Sequence, residues 1–201
     1  EFIPVVQRLR AEHGLDAMNP ERIRASVSNG ARALVSLGLD INEDAPEFES
    51  KRLRLLDLYG QVLGTLASPY PGIALLLVRL QERGIAWGIS TNKPRAYTEP
   101  LLARLDIQPP PGSVVCPDDI SNRKPHPESL YRNCHELQCA PHEAIYIGDH
   151  LRDIEAGRHA GMYTIAAAYG YIEPGDDPLR WGANAQARRS DDLLEMILGA
   201  Q

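Results

Sequence analysis

Two carboxylates, Asp149 and Asp153, stand four residues apart in YIGDHLRDIEAG (residues 146–157), directly after a short apolar run. If a helix starts at Leu151 or before, that spacing puts Asp153 on the side Asp149 faces. The pair could serve acid/base work or hold a cation. Two other polar segments also follow apolar runs: STNK (Ser90 to Lys93) and NRKPHP (Asn122 to Pro127). Taken singly, each reads as a turn or a helix cap. Taken together, they fit phosphate chemistry. Thr91 and Asn92 offer a hydroxyl, an amide and backbone N–H groups at the start of a helix, a favourable place for an anion. Lys124 offers a compact positive charge, and Asp149 a hard oxygen donor suited to Mg2+.

These segments need strands to carry them, and the chain supplies a matching pattern. After the Ser68-Pro69-Tyr70-Pro71-Gly72 break, the spacing predicts a helix carrying Ile73, Leu76, Leu77 and Leu80, then a strand over IAWGIS (85–90). A helix from about Tyr97 to Leu105, a strand at Ser113–Cys116, a helix from about Pro127 to Leu137 and a strand over AIYI (144–147) follow. A helix at Leu151–Ala160 and the strand YTIAAA (163–168) close the series. Strand and helix alternate, the pattern of a parallel sheet with helices on both faces, and such sheets bind ligands beyond the carboxyl ends of their strands. Residues 1–66 show only helical periods: Phe2–His13, a helix opened by Asn19-Pro20-Glu21, a short one at Ala31–Leu37 and a longer one from about Ala45 to Leu63. In the last of these, Phe48, Leu55, Tyr59 and Val62 share a face.

Composition excludes several classes. With 43% hydrophobic and 24% charged residues and a net charge of −6, the chain lacks the basic clusters that hold nucleic acid. The apolar run around Ile73 to Val78 is far short of the ~20 residues that cross a bilayer. Cys116, Cys134 and Cys139 show neither a disulfide framework nor zinc spacing, and read as reduced thiols of a cytoplasmic protein. Residue 1 is Glu, and Phe2, Val5, Val6 and Leu9 already keep helical spacing; the expectation is that the natural N-terminus lies upstream.

In order and spacing, GISTNK, NRKPHP and YIGDHLRDIEAG resemble the second, third and fourth motifs of the haloacid dehalogenase (HAD) superfamily, in its phosphoglycolate phosphatase-like branch. The resemblance implies an α/β fold: a Rossmann-like core with a parallel sheet, here 67–201, plus a helical cap domain, here 1–66. It further implies that Thr91 is the phosphate-binding hydroxyl with Asn92 beside it. Lys124 would steady nucleophile and phosphate, Asp149 would bind Mg2+, and Asp153 would be a second ligand or an orienting group. Asp118 sits where relatives often carry an acid, and no role is assigned to it. His150 is expected to be solvent-exposed and outside the metal site.

The family's first motif, D-x-D-G-T, supplies the nucleophile and the general acid; no Asp-x-Asp triplet occurs in these residues. In the family its strand lies between those ending here at Ser90 and Ile147. The implied activity is Mg2+-dependent hydrolysis of a small phosphate monoester through an aspartyl-phosphate. Neither nucleic acid nor membrane is expected as a partner, and the protein is expected to be a monomer or homodimer. The rivals are a phosphotransferase such as a sugar-phosphate mutase, and a non-catalytic phosphate-binding relative. Arg32, in the turn Ser26–Leu34, is the candidate for a substrate carboxylate, the competing reading being a solvated helix residue. The tail YGYIEPGDDPLRWGAN resembles that of a subgroup acting on N-acetylmuramic acid 6-phosphate, which leaves that compound and 2-phosphoglycolate as the leading substrates.

Overall fold

The computed structural model describes residues 1–199; the last two residues of the expected 67–201 core lie outside the described residues. The chain divides into two compact units, Glu1–Ala67 with Glu173–Gly175, and Ser68–Ile172 with the chain from Asp176 onward.

The first unit is helical: α1 (Phe2–Glu12), α2 (Pro20–Ser26), α3 (Gly30–Leu39) and α4 (Phe48–Val62). α2 starts where the sequence says, because the Asn19 side chain accepts from Glu21 N at 2.8 Å and Pro20 occupies the first turn. α1 packs on α3 and α4, and α2 on α3. Between them Val5, Val6, Leu9, Ile23, Leu34, Val35, Phe48, Leu55, Leu58 and Tyr59 are removed from water. The Phe2 and Tyr59 rings stack at 4.1 Å. The predicted stripe on α4 holds for Phe48, Leu55 and Tyr59. Leu58 takes a core place that the stripe omitted, and Val62 is only half-buried.

The second unit alternates helix and strand: α5 (Ile73–Glu82), β1 (Gly88–Ser90), α6 (Arg95–Leu105), β2 (Ser113–Val115), α7 (Glu128–Leu137), β3 (Ile145–Gly148), α8 (Leu151–Ala160) and β4 (Tyr163–Ala167). β5 (Ala185–Ala187) and α9 (Asp192–Leu198) complete it. All strand pairs are parallel. β1 pairs with β2 (Ser90 opposite Val115) and β3 with β4 (Gly148 opposite Ala166), while β4 also pairs with β5 (Ala167 opposite Ala187). Leu76, Leu77 and Leu80 of α5 and Leu193 of α9 bury one face of β4 and β5 through Ile165 and Ala187. Tyr146 of β3 packs instead against Leu130 and Cys134 of α7 and Ala156 and Ala160 of α8. Helices therefore cover both faces, as βαβ connections require. No helix among the described residues is long and apolar enough to cross a membrane.

The sheet is in two parts, β1-β2 and β3-β4-β5, and no described strand pairs between β1 and β3. This division leaves, between β1 and β3, the place where the family's first strand is expected, and one strand differs from expectation in length for a physical reason. The strand expected over IAWGIS shrinks to Gly88–Ser90 because its partner β2 has only three residues and pairing starts at Gly88 opposite Ser113. Ile85 is left 43% exposed.

Two helix glycines separate propensity from packing. A Cβ at Gly60, on the exposed side of α4, meets nothing within 4 Å, so Gly60→Ala is expected to stabilise by ~0.5–1 kcal/mol. At Gly157, on the buried side of α8, a Cβ would lie 2.5 Å from Thr164 Cγ2 and 3.2 Å from Tyr146 Cδ1. Overpacking of ~1–3 kcal/mol there exceeds the ~1 kcal/mol gain in helix propensity. Gly157→Ala should therefore lower the urea midpoint while Gly60→Ala raises it; a rise for both would show that α8 can move off the sheet.

Candidate active site

The carboxyl ends of β1 and β3 meet at Lys124. Its side chain is only 7% exposed, and its ammonium donates to the Ser90 carbonyl at 3.0 Å and to the Tyr146 hydroxyl at 2.8 Å. It forms an ion pair with Asp153 Oδ1 at 2.7 Å. Tyr146 in turn donates to the same Asp153 oxygen at 3.3 Å. Burial pulls the ammonium's pKa down, but Tyr146 and Asp153 push it up by more, to about 12. Burial is also the main reason the Tyr146 phenol is pushed up to about 12, so at neutral pH that hydroxyl is uncharged and Asp153 balances the cation. Because the folded value lies above the ordinary 10.5, the ammonium's contribution to stability is complete below pH ~10.5 and is lost as pH rises through about 12.

The loop bearing Lys124 is held from below. Glu128, at the start of α7, accepts from Ser121 N and Asn122 N, each at 2.8 Å, and these bonds keep its carboxyl below the usual range. Ser90 Oγ donates to Ser129 Oγ at 2.8 Å, which ties the end of β1 to α7.

Thr91 continues the β1-β2 pairing through Thr91 N to Val115 O at 3.0 Å, and its Oγ1 accepts from Lys93 N at 3.0 Å. That leaves the hydroxyl proton for another acceptor. Asn92 Oδ1 is buried without a hydrogen-bond partner, and buried acceptors of this kind call for a donor. The expectation that Thr91 and Asn92 open a helix needs correction. α6 starts at Arg95, and that residue's N–H is taken by Asp118 Oδ2 at 2.8 Å. Asp118 thereby gains a role the sequence left open, capping α6, while Asp119 accepts from Cys116 N at 2.8 Å and pairs with Arg95.

The two carboxylates of GDHLRD part company. Asp153 packs over Gly148, where a Cβ would lie 2.2 Å from Asp153 Cβ, and turns its Oδ1 to Lys124. Asp149 is half-buried at the end of β3 and accepts from Tyr171 N at 3.0 Å, with Gly170 pressed so closely on it that a side chain there would collide. His150, expected to be exposed, is half-buried. Its Nδ1 accepts from Arg152 N at 3.2 Å as the cap of α8, and its ring lies 6.5 Å from that of buried Trp181. The segment after β4 thus clamps the Asp149 loop. Arg32 belongs to the helical unit. It lies on α3, where it donates to Glu43 at 2.6 Å over the Phe48 ring at 4.9 Å.

Among the described residues no group of three or more His, Cys, Asp or Glu is gathered to hold a metal. Mg2+ asks for less, because it is usually held by one or two carboxylates with waters and substrate phosphate. Asp149 fits that donor chemistry. Sequence reasoning missed Tyr146, Ser90 and Gly170. Only Tyr146 left a signal: it lies two residues before Gly148 on the same strand face, the face Asp153 covers.

The family model for haloacid dehalogenase-like hydrolases matches residues 2–167. The chain belongs to that family. It is 41% identical over 197 residues to the N-acetylmuramic acid 6-phosphate phosphatase of Pseudomonas aeruginosa, covering 98% of this chain and 87% of that one. It is 33% identical over 195 residues to the phosphoglycolate phosphatase of Xanthomonas campestris pv. campestris, covering 97% and 88%. A crystal structure described as a predicted phosphoglycolate phosphatase from Haemophilus somnus superposes with a TM-score of 0.84 at 22% identity, covering 97% of this chain and 89% of that one. The haloacid dehalogenase-like fold, a Rossmann-like core with a helical cap domain, is thereby established.

The Lys124–Asp153 pair can be tested directly. Lys124→Met leaves Asp153 buried and uncompensated and is expected to cost ~3–5 kcal/mol in urea denaturation. The double variant Lys124→Met/Asp153→Leu should recover most of that loss. Equal losses in the single and double variants would show that the two charges are not coupled.

Proposed function

We propose that the strand-end residues form the phosphate- and cation-binding side of a phosphate-monoester hydrolase site, with N-acetylmuramic acid 6-phosphate as the leading substrate. The observation that carries the reading is the buried Lys124 ammonium held on the carbonyl of Ser90, the residue before Thr91, whose hydroxyl proton is left for another acceptor. In this reading Lys124 attracts the phosphate oxygens, and the Thr91 hydroxyl donates to one of them. Asn92 Oδ1 would accept from a donor on the ligand, such as a sugar hydroxyl. Asp153 holds the ammonium in place. Asp149 would hold Mg2+, which when bound offsets repulsion between phosphate and carboxylates. The substrate assignment is supported by the higher identity to the N-acetylmuramic acid 6-phosphate enzyme than to the phosphoglycolate enzyme. Both compounds carry a carboxylate, for which Arg32 is the candidate once it releases Glu43. Cys116, Cys134 and Cys139 are free thiols, in keeping with a cytoplasmic location.

The nucleophile and general acid implied by the family are an Asp-x-Asp pair, and no such triplet occurs in the 201 residues; neither role is assigned to a residue present here. A phosphate-binding relative without turnover is the second reading. Assay of the full-length protein with Mg2+ separates them. Inorganic phosphate released from N-acetylmuramic acid 6-phosphate, faster than from 2-phosphoglycolate or simple sugar phosphates, is the expected result. Transfer of the phosphoryl group to a second sugar hydroxyl without release would identify a phosphotransferase, and no reaction with any of the panel would favour the binding protein. Asp149→Asn is expected to lower Mg2+-dependent turnover on the order of a hundredfold or more; unchanged turnover would remove Asp149 from the metal site.

A further inference from the structure

Lys124 carries three N–H donors, and three acceptors face them: the Ser90 carbonyl, Asp153 Oδ1 and the Tyr146 hydroxyl. The first is backbone and the second is the counter-charge. Tyr146 is a neutral group with no role in the reading above, yet it makes a 2.8 Å contact to the ammonium and also reaches Asp153 Oδ1 at 3.3 Å. Its ring is fixed from both sides. β3 sets its backbone, and Leu130 and Cys134 of α7 with Ala156 and Ala160 of α8 enclose the ring. The absence of a side chain at Gly157 lets α8 approach to where a Cβ would be 3.2 Å from Tyr146 Cδ1. The hydroxyl is therefore placed by the core and not by the loop that carries Lys124.

We propose that Tyr146 is a positioning residue for Lys124: its hydroxyl accepts from the ammonium and donates to Asp153, transferring the rigidity of the β3 core to the charge that meets the phosphate. The proposal rests on the phosphatase reading of the site for its effect on turnover, and on geometry alone for its effect on the ammonium. A long lysine stem loses considerable rotamer freedom when fixed. Two side-chain partners of different elements, one on β3 and one on α8, remove that freedom before substrate arrives, which is the condition for an electrostatic contribution without reorganisation.

The test uses the full-length protein as wild type, Tyr146→Phe and Tyr146→Leu. Phe keeps the ring and its packing and removes only the hydroxyl; Leu removes both. Turnover of p-nitrophenyl phosphate with Mg2+ and 15N relaxation of the Lys124 ε-ammonium are measured on each. The expected result for Tyr146→Phe is wild-type thermal stability within a few degrees, a kcat lower by roughly tenfold or more with KM little changed, and an ammonium that loses its order. A purely structural role predicts that Phe behaves as wild type and that only Leu fails. Wild-type kcat, KM and ammonium order in Tyr146→Phe would overturn the proposal. If the wild-type protein turns over nothing while the ammonium still loses order in Tyr146→Phe, the positioning role stands and the phosphatase reading falls.

Discussion

A cation taken out of water needs a counter-charge and a partner for every N–H, or the fold loses several kcal/mol for each missing one. Lys124 meets that demand with groups from three elements: the Ser90 carbonyl at the end of β1, Tyr146 on β3 and Asp153 in the first turn of α8. β1 and β3 belong to separate sheets, so the ammonium is a polar link between strands that share no backbone pairing. The position of the loop at residues 122–127 follows from this constraint. Its own backbone is held by Glu128, but its charge is held by the sheet ends.

The surrounding acids divide their work by environment rather than by type. Asp153, close-packed against Gly148, is committed to the ion pair. Asp149 is held by Tyr171 N with Gly170 in close approach to its side chain, and His150 beside it stacks on Trp181. Asp118 and Asp119 anchor α6 to the end of β2: Asp118 accepts from Arg95 N, an amide otherwise orphaned at the helix start, and Asp119 accepts from Cys116 N and pairs with the Arg95 guanidinium. The chain belongs to the haloacid dehalogenase-like family, and in the proposed reading of the site a charged ligand would meet groups whose geometry is settled in advance.

The helices and most strands were legible because apolar spacing is a local property. Asn19-Pro20-Glu21 opened α2, Gly84 closed the turn after α5, and the α8 limits came out as written. β5 and α9 were not foreseen. Ala185–Ala187 is three residues with a Gln at its centre, and it becomes a strand only because β4 offers it a row of partners. IAWGIS carried more apolar residues than its partner strand could pair. His150 looked like a solvent-facing neighbour of Asp149 because nothing in its own segment announces Trp181, which lies more than thirty residues further on.

By itself the sequence determined the alternation of helix and strand, the helical character of residues 1–66, and the presence of a threonine, a lysine and two acids directly after apolar runs. Those are consequences of period and order along the chain. Only the tertiary structure decided what each polar group does. That Asp153 pairs with Lys124, that Asp118 caps α6, that Arg32 is engaged with Glu43, and that Tyr146 touches the ammonium all depend on residues 11 to 29 apart being brought within a hydrogen bond. Hydrogen bonds act over about 3 Å, and only packing sets which groups come that close.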